Sequence, residues 1–143
     1  MNNNNEPESN LSANVYLKTV VDIKDGSEWV DAFTFCGKYG FSIHVITAWN
    51  PGDARFDERT NEARNKELLD QLRELDCTVF EAVGRDPDSE YSEKSWAACG
   101  LTDDVAKELG RAFEQVAVFQ IDALHQRVLN CFDGKTYSRP NLT

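Results

Sequence analysis

The residues best suited to chemistry cluster at one end of a long predicted helix. This helix covers residues 56–75, and its apolar stripe includes Leu72 and Leu68. Followed backwards at spacings of three and four residues, the same face reaches Arg64 and Asn61. Buried polar groups need hydrogen-bonding partners. This end of the helix therefore either leaves the core or opens onto a polar cavity.

Two polar residues lie just before this helix, at the end of a predicted strand. Residues 41–49 are apolar on both faces, which indicates a central strand, and they stop at an Asn-Pro-Gly turn. Open α/β sheets bind ligands at the carboxyl ends of their strands. We therefore expect Thr47 and Asn50 to approach the polar end of the helix.

Further polar side chains lie at the entrances of two later strands. Glu93 and Ser95 lead into a predicted strand, and Gln115 opens the next one. A carboxylate at such a position could act as a general base or hold a ligand hydroxyl. We predict one partly open cavity lined by Thr47, Asn50, Asn61, Arg64, Glu93 and Gln115, with Ser95 as a further ligand-binding residue.

Each of these residues has two interpretations. In the first, Arg64 pairs with an anionic group of a ligand, the amides of Asn50, Asn61 and Gln115 bind ligand oxygens, and Glu93 is the candidate catalytic base. In the second, Asn61 and Arg64 merely tie the Asn-Pro turn to the helix by hydrogen bonds, and Glu93 is a solvated charge. The residue types and their spacing leave both interpretations open.

Several familiar kinds of site have no counterpart in the sequence. The four cysteines form no C-x-x-C pair and the two histidines lie far from a ligand run, so we expect no metal. Ser95 and Thr47 have no histidine and acid at the spacing of a hydrolase triad. Neither a glycine-rich dinucleotide motif nor a P-loop is present, and we expect no cofactor.

The charge of the chain restricts its partners. Its 143 residues include 15 Lys and Arg against 25 Asp and Glu, a formal net charge of −10. Phosphate backbones and anionic membranes are bound by clustered basic residues, which this chain lacks. We therefore expect neither nucleic acid nor membrane as a partner. The N-terminal residues show no signal-peptide pattern, which predicts a cytoplasmic protein, most simply a bacterial one.

The elements that must position the polar cluster are strands interleaved with helices. Helices are predicted over residues 56–75 and after Thr102, and a third, ambiguous with a strand, over residues 27–39. Strands are predicted over residues 15–23, 41–49, 77–83, 94–99, 116–121 and 127–132. This pattern predicts an α+β fold, an α/β sandwich in which one mixed sheet of five to six strands has two to three helices packed on it.

The chain divides into a domain and two tails. Residues 1–12 are rich in asparagine and nearly free of apolar groups, which predicts disorder. Residues 13–134 form the predicted single globular domain, and residues 135–143 a C-terminal tail of loop.

Short strings through the middle of the chain resemble a known family. They are Thr47-Ala-Trp-Asn-Pro51, Asn61-x-x-Arg64, Gly84-Arg-Asp-Pro-Asp88, Glu93-x-Ser95 and Phe113-x-Gln115. In this order they resemble the bacterial domain of unknown function 3293, over roughly residues 41–121. Two positions depart from that family's pattern, with Tyr91 where a tryptophan is usual and Lys94 where a proline is usual. The resemblance supports the set of site residues and implies no established activity.

The predicted function is recognition of a small polar or anionic metabolite, with its chemical conversion left open. The alternative is a non-catalytic interaction protein that uses its acidic surface to bind or inhibit a protein partner, for example by mimicking DNA. Convergence of the polar residues into one concave pocket favours the first function. A flat acidic face over a closed core favours the second.

Overall fold

The computed structural model describes residues 16–52 and 54–142. They form a single eight-stranded antiparallel sheet that curls into a half-barrel, and residues 16–18 are helical. The strands are β1 Val20–Asp25, β2 Glu28–Asp31, β3 Ile43–Ile46, β4 Thr78–Arg85, β5 Ser92–Cys99, β6 Ala117–Ile121, β7 His125–Asn130 and β8 Thr136–Pro140. The longer helices are α1 Ala32–Tyr39, α2 Glu58–Arg73 and α3 Asp103–Ala112. The predicted disordered tail over residues 1–12 lies outside the described residues.

The predicted mixed sheet of five to six strands is wrong. The strand order is β2-β1-β4-β5-β3-β6-β7-β8, and every neighbouring pair is antiparallel. The two strands that the sequence did not predict, β2 and β8, are the two edges of this sheet. Their residues are mostly exposed or half-buried, so they carry little of the apolar signal that marks an inner strand. β8 lies within the segment predicted as a tail.

The inner elements follow the sequence pattern more closely. All four residues of β3 are buried, and the strand lies in the middle of the sheet between β5 and β6. Helix α2 lies within the predicted span of residues 56–75. Helix α3 begins after Thr102, whose side chain accepts a hydrogen bond from the Val105 N–H at 3.2 Å. Each of these elements buries a face large enough to produce a recognisable apolar pattern in the sequence.

The sheet carries a core on each of its two faces. On the first, here called the α1 face, α1 packs over Ile43 and Val45 of β3. On the second, Leu68 and Leu72 of α2 and Ala106 of α3 pack in one cluster with Ile46. Because successive residues of a strand point to opposite faces, β3 contributes to both cores. No helix in the described part of the chain combines the length and apolar character that a membrane crossing requires.

Two groups of polar contacts join elements that are distant in sequence. His44 of β3 is buried, and its Nε2 lies 2.7 Å from the carboxylate of Asp103, which also pairs with Arg127 at 2.9 Å. These contacts attach the first residue of α3 to the sheet. At the other side, the Thr19 carbonyl accepts hydrogen bonds from Gln126 Nε2 at 2.9 Å and from Arg139 Nη2 at 3.1 Å. Strands β7 and β8 are thereby joined to the segment that enters β1.

Two helix glycines differ in the space around them, and this difference yields a test of the packing. A Cβ on Gly110 of α3 would lie 2.5 Å from Cys131 Sγ and 2.8 Å from Val118 Cγ1. Gly110→Ala is therefore expected to lower the free energy of unfolding by about 1–3 kcal/mol, the usual cost of overpacking. Urea denaturation monitored by circular dichroism measures this change.

Gly37 of α1 is the matched control. A Cβ there meets only Ala123 Cβ, at an ordinary distance of 3.6 Å. Gly37→Ala should stabilise the protein by about 0.5–1 kcal/mol, since alanine loses less backbone entropy in a helix. Stabilisation by both substitutions would contradict the close contact of α3 with β6 and with Cys131, just after β7.

Candidate functional site

A cavity of about 600 Å³ opens on the α1 face of the sheet. Val45, Ala117 and Phe119 give it an apolar side. Val45 belongs to the core under α1, and Phe119 packs against that core. The cavity therefore adjoins this core on the same face of the sheet, and Tyr16 of the helical residues 16–18 lines it as well.

Five of the seven predicted site residues line this cavity. Three of them, Asn50, Ser95 and Gln115, are buried, and the other two are Thr47 and Glu93. Glu93 and Ser95 lie on one face of β5 because alternate residues of a strand point the same way. Strand β5 is hydrogen-bonded to β3, so these side chains lie beside the end of β3.

Asn61 is not part of the cavity lining and instead holds the turn after β3. Asn50 has a left-handed backbone with φ of 42°, a conformation that asparagine tolerates better than most residues. Its N–H donates to Asn61 Oδ1 at 2.9 Å, and Asn61 Nδ2 donates back to Asn50 Oδ1 at 2.9 Å. The Phe56 N–H also donates to Asn50 Oδ1, at 2.9 Å. Two amide side chains thus fix the backbone of the turn.

Arg64 also lies outside the lining and joins the turn to the end of α3. Its Nε donates to the Ala48 carbonyl at 2.9 Å, and its Nη2 donates to the Phe113 carbonyl at 2.6 Å. The carboxylate nearest to its guanidinium is Glu114, at 3.6 Å, and not Glu93. The geometry of Arg64 and Asn61 is that of the structural interpretation, in which both residues tie the turn to the helix.

Glu93 is the centre of the polar side of the cavity. Its Oε2 accepts a short hydrogen bond from the hydroxyl of Tyr91. That hydroxyl in turn accepts from Asn50 Nδ2 at 3.1 Å and from Arg55 Nη1 at 3.2 Å, and the Arg55 guanidinium lies 4.8 Å from the centre of the Tyr91 ring. One phenol oxygen therefore connects a carboxylate, an amide and a guanidinium.

The surroundings of Glu93 favour its protonated form. Burial raises the pKa of Glu93 above its usual value, against the opposing effects of the Tyr91 hydrogen bond and the Arg55 charge. Burial also raises the pKa of Tyr91, and the neighbouring carboxylate adds to that rise. A carboxyl group whose pKa lies closer to neutrality is suited to exchanging a proton with a bound molecule.

Sequence reasoning did not assign a role to Tyr91 or Arg55. Tyr91 lies two residues before Glu93 on an extended stretch, so the alternation Tyr91, Glu93, Ser95 already places three polar groups on one side. This period of two was the available signal. Arg55 lies in the irregular segment before α2, where no periodic pattern predicts the direction of a side chain.

The described residues offer no ready metal site. Among them, no group of three or more His, Cys, Asp or Glu side chains is placed to hold a metal ion. The chemistry that the cavity itself can provide is hydrogen bonding and proton exchange through Glu93, together with the positive charge of Arg55.

The role of Arg64 can be measured as stability. Arg64→Ala is expected to lower the free energy of unfolding by roughly 3 kcal/mol, because each hydrogen bond from a charged group stabilises by about 1.5–3 kcal/mol. Arg59→Ala, at an exposed position of the same helix, should stay within about 0.5 kcal/mol of the parent protein. Equal and small effects of the two substitutions in urea denaturation would contradict a structural role for Arg64.

Comparison with known proteins gives a family and no activity. No curated protein and no solved structure shows significant similarity to this chain. A family model described as "Protein of unknown function (DUF3293)" matches residues 46–118, just over half of the chain. The matched region contains the turn after β3, helices α2 and α3, and the polar cavity residues of β5. The chain therefore belongs to the DUF3293 family of proteins of unknown function.

Proposed function

We propose that this protein binds a small polar molecule in the cavity on the α1 face, with Glu93 as the main polar contact. The observation that carries the proposal is the Glu93 carboxylate, which lines the cavity and is held by the Tyr91 hydroxyl. No Lys, Arg or His of the described chain lies within ion-pair distance of this carboxylate.

The cost of placing Glu93 in the cavity supports a functional role. A carboxylate taken from water without a cationic partner destabilises the folded state. Ionisable groups with raised pKa values are common at functional sites for this reason. A solvated surface carboxylate would carry no such cost, and the raised pKa of Glu93 argues against that alternative.

The size and mixed character of the cavity also fit a small molecule. Ligand sites commonly have volumes of about 300–1,000 Å³ and combine apolar walls with a few converging polar groups. Here Val45 and Phe119 supply the apolar part, and Glu93, Ser95 and Gln115 supply the polar part. The apolar residues could therefore contact the body of a ligand, while the polar residues orient its polar end by hydrogen bonds.

The ligand contact predicted for Arg64 is reassigned to Arg55, whereas Glu93 remains the candidate base. The guanidinium of Arg64 is engaged by two backbone carbonyls, so the contact with an anionic group of the ligand passes to Arg55, which is exposed and lines the cavity. If the bound molecule is also converted, Glu93 is the group to accept its proton, since a base with a pKa nearer to neutrality is more effective.

A thermal-shift screen of a polar metabolite library tests this function. A molecule that binds only the native state stabilises it by about 2.7 kcal/mol when present at about a hundred times its dissociation constant. The variant Ala117→Leu should weaken the affinity for any hit at least about tenfold, because the three added carbon atoms would occupy the apolar part of the cavity.

Ala112→Leu at the exposed end of α3 is the control for this substitution. It adds the same side chain outside the cavity and should leave the affinity unchanged. Hits whose affinity is unaffected by Ala117→Leu would bind elsewhere. A complete absence of hits that depend on Ala117 would contradict the proposed function.

Glu93→Gln tests the cost of the half-buried Glu93 charge without any ligand. Because the folded-state pKa of Glu93 is raised from 4.5, the charged form opposes folding, and this cost is present above the folded-state pKa and absent below the unfolded value. Glu93→Gln should therefore raise the melting temperature at pH 7, since the neutral amide carries no such cost.

The gain should shrink as the pH falls through the raised folded-state pKa and vanish below the ordinary value of 4.5, where Glu93 is neutral in both states. Glu81→Gln, at an exposed position of β4, should show no comparable gain at pH 7. A lower melting temperature for Glu93→Gln at pH 7 would show that the carboxylate stabilises the fold instead of serving the cavity.

A further inference from the structure

We infer that the ligand of this cavity is an amino-carboxylate, a molecule of the amino acid class whose ammonium group binds Glu93 and whose carboxylate binds Arg55. This inference rests on the proposed function and names the class of ligand. Some hydrogen-bonding groups of the cavity are engaged within the protein, and others remain for a ligand. The inference follows from the second set.

The side-chain donors in the cavity are largely engaged within the fold. Asn50 Nδ2 donates to the Tyr91 hydroxyl at 3.1 Å, and the Thr47 hydroxyl donates to the Lys94 carbonyl at 2.7 Å. The Gln115 amide nitrogen lies 3.3 Å from the Trp49 carbonyl, to which it donates. The polar wall thus has few N–H or O–H groups left for a ligand oxygen.

The acceptors of the same wall are less engaged. Glu93 accepts from Tyr91 through Oε2, and within the described part of the chain no hydrogen bond reaches its Oε1. The same holds for the side-chain oxygen of Gln115, whose hydrogen bonds there all run through its nitrogen. A ligand must therefore present donors to this wall. Because Glu93 is charged when ionised and lacks a cationic partner there, a cationic donor complements it best.

Arg55 supplies the opposite charge a short distance away. Its Nη1 donates to the Tyr91 hydroxyl at 3.2 Å, and that same hydroxyl donates to Glu93. A guanidinium has five N–H donors, so others remain to hold a carboxylate of the ligand. A negative and a positive site separated by a single phenol oxygen match a ligand whose ammonium and carboxylate lie on one carbon.

Ligands with only one of these charges fit less well. A simple carboxylate or phosphate would satisfy Arg55 but would be repelled by the ionised Glu93. A simple amine would satisfy Glu93 and leave Arg55 unmatched. The apolar side formed by Val45 and Phe119 can then accept the side chain of the amino acid.

Isothermal titration calorimetry with the common L-amino acids and their N-acetyl derivatives tests the inference directly. Acetylation removes the positive charge and retains the carboxylate. At least one amino acid should bind, and its N-acetyl derivative should bind at least about tenfold more weakly, because a desolvated charge pair contributes more than an exposed one.

Two variants with matched controls assign the contacts. Glu93→Gln and Arg55→Gln should each weaken binding of that amino acid at least about tenfold, since each removes one charge complementary to the ligand. Glu81→Gln and Arg59→Gln change the same residue types at exposed positions outside the cavity and should leave the affinity unchanged.

The pH dependence of binding by the parent protein requires no variant. The other titratable or charged groups lining the cavity are Tyr16, Arg55, Arg85, Asp86 and Tyr91. Arginines stay charged, and the backbone N–H of Asp88 lowers the pKa of Asp86 below its usual value. Burial raises the pKa of Tyr91 above its ordinary value of 10, so Glu93 is the lining group expected to gain a proton as the pH falls below neutrality, and the affinity should fall as the pH falls through its raised pKa.

Each outcome separates the inference from the proposed function. Equal affinities for an amino acid and its N-acetyl form would overturn the inference. An affinity for the amino acid that is unchanged by Glu93→Gln would also overturn it. If only molecules without an amine bind, and Ala117→Leu blocks them, the inference fails while the proposed function stands. If neither amino acids nor any library compound binds in a way that depends on Ala117, both fail.

Discussion

The hydrogen bonds between the polar end of α2 and the turn after β3 determine where the cavity lies. The turn must leave the central strand through the left-handed backbone of Asn50, and the amide of Asn61 satisfies that backbone. Arg64 and Asn65 bind the carbonyl and the N–H of Ala48. Without these contacts the turn would have no defined position relative to β5, and the Asn50 amide could not reach Tyr91. Helix α2 thus has an apolar half that packs in the core and a polar half that hydrogen-bonds to the backbone of the turn after β3.

The sheet positions the rest of the site through its alternation of faces. Glu93 and Ser95 share a face with Val45 because β5 and β3 are neighbours in an antiparallel sheet. Helix α1 covers this face over part of its length and leaves the end of β3 open. A carboxylate on the uncovered part borders the core on one side and the cavity on the other. The raised pKa of Glu93 is a direct consequence of this boundary position.

The sequence carried enough information to predict the inner elements, and five of the seven residues predicted as a site line one cavity. Strand β3 and helix α2 each bury a continuous apolar face, which sequence periodicity detects. The edge strands β2 and β8 bury little and gave no such signal, and alternation of strands with helices wrongly suggested a mixed sheet. The direction of the Arg64 side chain depends on the Phe113 carbonyl, 49 residues away, a contact that no local pattern reveals.

The hydrogen bonds that converge on the Thr19 carbonyl also constrain the order in which this protein can fold. Their donors, Gln126 and Arg139, lie 107 and 120 residues further along the chain. Thr19 itself lines the cavity, so that side of the cavity is joined to β7 and β8 only after Arg139 has left the ribosome. Contacts so distant in sequence slow folding, because closing the intervening loop costs entropy before any contact is gained. During synthesis the region matched to the family, residues 46–118, emerges before β7 and β8, which extend its sheet beyond β6.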